Sequence, residues 1–128
     1  MLLKPTKLIQ YSGVALIVGV SFLIVNSEKT WAQRDLFAAI SYSPSKGING
    51  ISNDKASQEQ AVEEAKQNCG ESDCDTTWVR NGCMVLAANI DNSKNYSFGY
   101  GRTLTSAEND ALQGCTDCTI IRTLCTSR

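Results

Sequence analysis

The length, composition and charge of the sequence limit what this protein can be. A chain of 128 residues leaves room for one domain of ordinary size. The formal net charge is −1, and the basic residues are scattered along the chain among acids, which weighs against nucleic-acid binding. Histidine is absent, and with it the usual general base near neutral pH and the commonest metal ligand. We therefore expect a non-enzymatic protein without cofactor or metal.

Residues 1–32 have the pattern of a secretory signal peptide. Two lysines and no acid lie in residues 1–10, and the uncharged apolar run 13–25 follows. Small residues before Gln33 suit signal peptidase, so we predict cleavage between Ala32 and Gln33. The alternative is an uncleaved membrane anchor, since residues 8–25 approach the roughly 20 residues that span a bilayer. Cleavage leaves a chain with nine basic and twelve acidic residues, a net charge of −3.

The cysteines predict an oxidising compartment. There are six of them, all downstream of the predicted cleavage site: Cys69, Cys74, Cys83, Cys115, Cys118 and Cys125. An even number of cysteines behind an export signal is typical of a disulfide framework. We therefore expect the protein in the periplasm or outside the cell.

The first half of the mature chain predicts two strands, a helix and a third strand. Residues 36–42 form an apolar strand, and a turn at 44–47 leads into a weaker, glycine-containing strand at 48–51. A capping-box pattern at 57–60 begins a helix that ends at Cys69. The β-branched run 76–79 follows as a strand.

The second half repeats this order. Asn81-Gly82 predicts a hairpin turn into Cys83 and a strand over 84–90. After a turn at 91–95, aromatic residues alternate with small ones over 96–101. A second capping box at 105–108 begins a helix that runs to Cys115 and buries Ala107, Ala111 and Leu112, and 119–124 forms the last strand.

This recurrence predicts a small α+β domain built from two diverged ββαβ repeats. We place repeat one at about 36–82 and repeat two at about 83–128, with about six strands and two helices. One copy alone leaves its apolar face uncovered, so we expect the two to share a sheet or to pack as a pair.

The recurrence also favours one disulfide pairing among fifteen. Cys69–Cys74 corresponds to Cys115–Cys118, which leaves Cys83 and Cys125 to join the two copies. That last bond closes a loop of about 43 residues and contributes about 4 kcal/mol by loss of chain entropy in the unfolded state.

Two alternative roles for the cysteines remain. Cys115 and Cys118 form a Cys-x-x-Cys pair of the kind that exchanges disulfides, although a helix C-terminus opposes thiolate formation there. Cys69, Cys74, Cys115 and Cys118 have the paired spacing of a four-cysteine zinc site, which an oxidising compartment disfavours.

The best candidate for a binding surface is the aromatic row Tyr96, Phe98 and Tyr100, with Arg102 and Arg80 as a polar rim. Core packing of these rings is the competing interpretation, and we expect Trp78 in the core or on a sheet face. Glu63 with Glu64, or Asp73 with Asp75, are candidate carboxylate pairs for glycoside chemistry, and solvated surface positions explain them better.

Several of these segments together resemble a known bacterial secreted family: 37–47, 61–69, 78–83, 96–101 and the second helix to Cys115. The family is domain of unknown function 4189. The resemblance implies export, a compact cysteine-containing fold and no established activity, and it offers no catalytic residues to transfer. The sequence departs from the family in its first glycine strand, where Ile48, Asn49, Gly50 and Ile51 replace aromatics.

We therefore expect an exported, disulfide-stabilised module that binds a protein or a cell-envelope component. A thiol-disulfide or redox-responsive protein acting through Cys115 and Cys118 is the first alternative. A secreted inhibitor or immunity-type protein is the second.

Overall fold

The computed structural model describes residues 34–128. The elements follow in the order β1 (Phe37–Ser43), β2 (Ile48–Lys55), α1 (Gln58–Cys69), β3 (Asp75–Arg80), β4 (Cys83–Ala88), β5 (Tyr96–Gly101), α2 (Leu104–Gln113) and β6 (Thr119–Cys125). The predicted signal peptide and its cleavage site lie outside the described residues. Neither of the two helices in residues 34–128 has the length and hydropathy to span a membrane.

The strands form two antiparallel three-stranded sheets. One has the order β2-β1-β3 and the other β5-β4-β6, so each half of the chain contributes one complete sheet with its first strand at the centre. Each half is a ββαβ unit, and the predicted α+β class with six strands and two helices is confirmed. The two units pack as a pair and do not share a sheet.

The central strands are buried on both faces, which explains why they read as continuous runs of apolar and small residues. Alternate residues of β1 and β4 meet in the main core, which contains Ala38, Ile40, Tyr42, Met84, Leu86, Ala88 and Leu124. The opposite face of β1 packs Ala39 on α1, and that of β4 packs Val85 and Ala87 on α2. The layers are therefore helix, sheet, sheet, helix.

Each helix lies against a glycine in the second strand of its own unit. A Cβ on Gly50 would lie 2.6 Å from the carbonyl oxygen of Ala65, and one on Gly99 would lie 2.7 Å from the Cβ of Ala111. Both distances are below any real contact of a Cβ atom, so only glycine permits the approach. The alanines that face these glycines complete the close packing.

The first helix begins as predicted, and the second begins earlier. Ser57 caps α1, with its Oγ accepting from the backbone N–H of Gln60. The cap of α2 is Thr103, not Thr105, because Thr103 is extended and its Oγ1 accepts from the N–H of Ser106. The helix also ends at Gln113, before Cys115, and Leu112 is exposed, not buried.

The disulfide pairing is the favoured one: Cys69–Cys74, Cys83–Cys125 and Cys115–Cys118. The predicted role of Cys83–Cys125 is wrong, however, because this bond does not join the two units. Cys83 opens β4 and lies opposite Cys125 in β6, its neighbour in the same sheet, with the two Cα atoms 4.0 Å apart. The bond staples the second unit internally.

The hairpin predicted at Asn81-Gly82 is also wrong. β3 and β4 lie in different sheets, and these two residues carry the chain from one sheet to the other. Asn81 has a φ of 50°, a left-handed conformation that asparagine tolerates. The chain does bend at Asn81-Gly82. It does not form a hairpin there, because the strands on the two sides belong to different sheets.

Candidate binding site

The predicted aromatic row divides between core and surface. Tyr96 and Phe98 are half-buried and pack against the core between the sheets, with ring centroids 5.8 Å apart. The ring centroid of Tyr96 lies 5.0 Å from that of Tyr42. Tyr100 is 41% exposed and its hydroxyl contacts that of Thr77. Of the row, only Tyr100 is well placed to meet a ligand together with Arg102, which is also exposed.

The candidate carboxylate pairs are engaged in structural contacts. Asp73 accepts hydrogen bonds from Ser43 Oγ at 2.6 Å and from the N–H of Ser45 at 3.0 Å, which lower its pKa to about 2. Asp75 accepts from the hydroxyl of Tyr96 at 2.8 Å. Burial and this carboxylate raise the pKa of Tyr96 to about 12. Because Asp73 stays ionised down to about pH 2, its carboxyl group is unsuited to donate a proton near neutral pH.

The glutamates of the first helix are likewise on its outer surface. Glu64 forms an ion pair with Lys55, with Nζ and Oε2 2.5 Å apart. Glu63 is exposed and accepts from Gln67 at 3.4 Å. These positions fit the solvated-surface interpretation.

A groove of about 660 Å³ opens beside Tyr100, where the ends of β3 and β5 meet. Its lining includes Arg80, Tyr100, Arg102 and Arg128, with the backbone of Gly82 and Gly101. The described residues contain five arginines, and three of them line this groove. Two acids border the groove: Asp35 Oδ2 lies 3.9 Å from Arg80 Nη1, and Asp110 Oδ2 accepts from the backbone N–H of Tyr100 at 2.9 Å. Basic residues that are scattered in sequence are therefore clustered in space.

The crossing between the sheets positions Arg80. The backbone N–H of Asn81 donates to the carbonyl of Leu36, and the side-chain Oδ1 of Asn81 accepts from the N–H of Leu36, both at 2.9 Å. Asn81 Nδ2 also donates to Asp35 at 2.9 Å. These bonds tie the end of β3 to the residues that precede β1. The contact between the hydroxyls of Thr77 and Tyr100 links β3 to β5. The predicted rim of Arg80 and Arg102 is brought to one groove.

Sequence reasoning missed Arg128. It lies beyond β6, and its place in the groove depends on where the last residues run after that strand. The backbone N–H of Thr126 donates to the carbonyl of Gly82 at 2.9 Å, which directs this segment to the groove. No local pattern in the sequence signals a contact between residues so distant along the chain.

The opposite edge of the sandwich, where β2 lies over β6, is closed by hydrogen bonds. Asp54 accepts from the N–H of Ser127 at 2.9 Å and from its hydroxyl. Asn53 Nδ2 donates to the carbonyl of Cys125 at 3.2 Å, and Arg122 Nε donates to Asn49 Oδ1 at 2.9 Å. We call the β2/β6 side the closed edge and the β3/β5 side the open edge.

Strand register relates the two edges. Gly50 and Gly99 each pair with a central-strand residue, and that residue pairs in turn with a threonine of the third strand: Ser41 with Thr76, and Val85 with Thr123. Counted from these positions, Arg102 corresponds to Asn53 and Arg80 to Ser127. Two positions whose side chains form hydrogen bonds across the closed edge are therefore arginines at the open edge.

The chemistry of the open edge is that of a donor surface. A guanidinium carries five N–H donors and no acceptor, so the side chains of Arg80 and Arg102 cannot hydrogen-bond to one another. Carboxylate and phosphate oxygens match its planar geometry with paired hydrogen bonds. Among residues 34–128, no group of three or more His, Cys, Asp or Glu side chains is arranged to hold a metal ion.

The cysteines occupy structural positions. Cys115 is 5% exposed and follows the C-terminal end of α2, where the helix dipole disfavours a thiolate. The four sulfurs of the alternative zinc site are joined in two disulfides. Trp78 is 39% exposed on the face of β3, with its ring centroid 6.0 Å from that of Phe37.

Comparisons with known proteins agree with this fold. The NMR structure of Rv1813c from Mycobacterium tuberculosis is similar, with a TM-score of 0.59 and 27% sequence identity over 70% of this chain and 74% of that chain. No curated protein sequence matches significantly. The model of the family described as Domain of unknown function (DUF4189) matches residues 37–125. The chain therefore belongs to the DUF4189 family.

Proposed function

We propose that this protein is exported and acts as a non-enzymatic binding module, which contacts a protein or a cell-envelope component through the groove at the open edge. The observation that carries the proposal is the clustering of Arg80, Arg102 and Arg128 around exposed Tyr100. Arginine and tyrosine are enriched where proteins bind partners. The groove is the place where this domain combines both.

Export is supported by the leader pattern and by the disulfides. The basic start and apolar run of residues 1–32 fit a signal peptide. The described part of the chain contains three disulfides and its cysteines are all paired. Disulfides of this kind form and persist in oxidising compartments. Periplasm and extracellular space are the destinations that fit.

We attribute the shared topology of the two units to an ancient duplication. In support, both sheets have the same strand order, and both second strands carry a glycine beneath the helix of their own unit. On this proposal, the two copies later diverged, and only the open edge acquired the arginines that bind a partner.

The export proposal is tested by the N-terminal sequence and intact mass of the protein recovered from the periplasm or medium. We expect a chain that begins at Gln33 with its thiols oxidised. Retention of residues 1–32 on protein anchored in the membrane, or reduced protein in the cytoplasm, contradicts this part of the proposal. Thiols that react with alkylating reagents in native protein would favour the redox alternative.

The binding proposal is tested by cross-linking in the cell envelope. We compare wild type with R80Q/R102Q and with K46Q/K94Q, a control that removes the same charge from turns at the opposite end of the sandwich. We expect discrete cross-linked products that the groove variant loses and the control keeps. Equal products from both variants contradict the groove. A cross-linked enzyme that is inactivated by the purified protein would identify the inhibitor alternative.

A further inference from the structure

We propose that the open-edge groove receives an acidic polypeptide segment of a partner protein, whose aspartate or glutamate carboxylates pair with Arg80 and Arg102 while an adjoining side chain packs on Tyr100. This inference rests on the proposed binding function and names the chemistry of its ligand. Three independent observations carry it: the local charge, the comparison with the closed edge, and the mixed surface of the groove.

The local charge opposes that of the domain. The mature chain has a net charge of −3, and yet the lining of the groove contains three arginines and neither aspartate nor glutamate. Arg80 has its one ion pair within residues 34–128 with exposed Asp35, at 3.9 Å. Such a distant pair in water is a weak competitor for a guanidinium. An incoming carboxylate that excludes water from the groove gains a stronger interaction.

The closed edge shows what this position in the fold looks like when it is satisfied internally. There Asp54 supplies acceptors to Ser127, and Asn53 donates to a backbone carbonyl. At the open edge, Arg102 and Arg80 stand at the places of these two donors. The place of Asp54 is taken by Thr103, whose Oγ1 accepts from the N–H of Ser106 as the cap of α2. We infer that acceptors from another molecule complete the donor set of Arg80 and Arg102 at the open edge.

The mixed surface of the groove favours a polypeptide over other anions. Val79 and the exposed ring of Tyr100 provide apolar contact, and Gly82 and Gly101 line the groove with backbone alone. The two glycines approach closely, since a Cβ on Gly82 would lie 3.1 Å from the carbonyl oxygen of Gly101. A peptide offers carboxylates, apolar groups and backbone together. Three arginines on an acidic domain are too few for a membrane surface, which needs clusters of four to eight basic residues.

The test is an NMR titration of the isotope-labelled, disulfide-bonded protein recovered after export. The probe is a hexaglutamate peptide, with hexaglutamine as the uncharged control, at low ionic strength. We expect hexaglutamate to shift the amide resonances of Gly82, Tyr100, Gly101 and Arg102, and hexaglutamine to leave them in place. Added salt should weaken the effect, because the contacts are exposed ion pairs.

Variants assign the binding to the arginines. We expect R80Q/R102Q to reduce the affinity for hexaglutamate about tenfold or more, as removal of charge-assisted hydrogen bonds does, and K46Q/K94Q to keep it within about twofold. R102K keeps the positive charge and removes the planar guanidinium. A loss of affinity for hexaglutamate in this variant supports paired hydrogen bonding by Arg102. Unchanged amide spectra away from the substitutions establish that each variant is folded.

Each other outcome overturns the inference. Absence of hexaglutamate binding, equal binding of hexaglutamine, or full affinity in R80Q/R102Q rejects an acidic peptide site. Arginine-dependent binding of inorganic phosphate or of phosphatidylglycerol vesicles, without hexaglutamate binding, assigns the groove to phosphate groups. If cross-linking in the envelope still requires Arg80 and Arg102 in that case, the proposed function stands and the acidic-peptide inference falls. If neither cross-linking nor peptide binding depends on the arginines, both fall.

Discussion

The two edges of the sandwich occupy corresponding positions in the fold and differ in the side chains that line them. At the closed edge, β2 and β6 are bridged by hydrogen bonds of Asp54, Asn53 and Asn49. At the open edge, Tyr96 and Tyr100 of β5 contact Asp75 and Thr77 of β3. Beyond Tyr100, where the two strands end, a groove is lined by arginines. The difference shows that the stacking of the sheets does not require every corner to be bridged.

The physical reason is the location of the core. The stacking depends on buried residues of β1 and β4, such as Ile40 and Leu86, which lie far inside either edge. Polar contacts at the exposed corners contribute little to stability and are open to change. One corner therefore retains a structural role, and the other is available for binding. The predictions below test this separation, from the largest expected effect to the smallest.

The first prediction concerns the disulfide that distinguishes the two sheets. The second unit has Cys83–Cys125 where the register of the first unit places Ala39 opposite Trp78. We expect C83A/C125A to lower the free energy of unfolding by about 4 kcal/mol, because the bond closes a long loop in the unfolded chain. Equilibrium urea unfolding measures the loss. C115A/C118A, which opens a loop of only a few residues, should lose about 2 kcal/mol; equal losses would contradict the chain-entropy explanation.

The second prediction concerns the glycines that the two units share. We expect Gly50→Ala and Gly99→Ala each to cost about 3 kcal/mol, because the added methyl group overlaps helix backbone that cannot move separately. Thermal unfolding of both variants measures the cost. Gly70→Ala is the comparison, since its Cβ meets nothing closer than 3.8 Å and only its φ of 75° is unfavourable; we expect about 1 kcal/mol there. A large difference between Gly50 and Gly99 would break the correspondence of the units.

The third prediction concerns the closed edge and its pH dependence. The side-chain and backbone hydrogen bonds of Ser127 lower the pKa of Asp54, so folding favours the ionised carboxylate. This contribution is fully present above the unfolded pKa, near 4, and is lost as the pH falls through the lower folded pKa. Asp54→Asn should cost less than about 1 kcal/mol near neutral pH, since the group is exposed. Paired urea titrations should show the difference disappearing as the pH falls below the unfolded pKa and through the lower folded pKa; a constant difference would reject the linkage.

The last prediction exchanges the chemistry of one edge for that of the other. R80S/R102N places at the open edge the residue types found at Ser127 and Asn53. We expect the free energy of unfolding to change by less than about 0.5 kcal/mol, because neither arginine is part of the core. Cross-linking to the partner should be lost. A variant that is strongly destabilised would show that the arginines serve the fold, which would break the separation between the edges.

Most elements of the fold could be predicted from local patterns, because periodicity and caps act over a few residues. The alternation of Tyr96, Phe98 and Tyr100 with small residues predicts β5, and Ser57 predicts the start of α1. The start of α2 was misplaced because Thr103 and Thr105 are both plausible caps in sequence, and only the extended backbone of Thr103 distinguishes them. The pairing of the cysteines was predicted from the recurrence of the units.

The binding site was only partly predictable. Arg80 and Arg102 were identified by their places beside strand ends, whereas Arg128 was not identified at all. The aromatic row was treated as one surface, but the first sheet covers Tyr96 and Phe98 and leaves Tyr100 exposed. Exposure is decided by the layer that covers a strand, and the alternation within that strand carries no information about it.

The sequence by itself determined the order of strands and helices, the class of the fold and the covalent pairing of its cysteines, because these follow from short-range patterns and from similarity between the halves. Only the tertiary structure decided that each half forms its own sheet, that Cys83–Cys125 braces one of them, and that one edge is closed while the other is a cationic groove. Those features depend on contacts between residues far apart in the chain, such as Asp54 with Ser127 and Thr77 with Tyr100. Such contacts arise when whole layers pack against each other, and a pattern within a few residues of sequence cannot predict that packing.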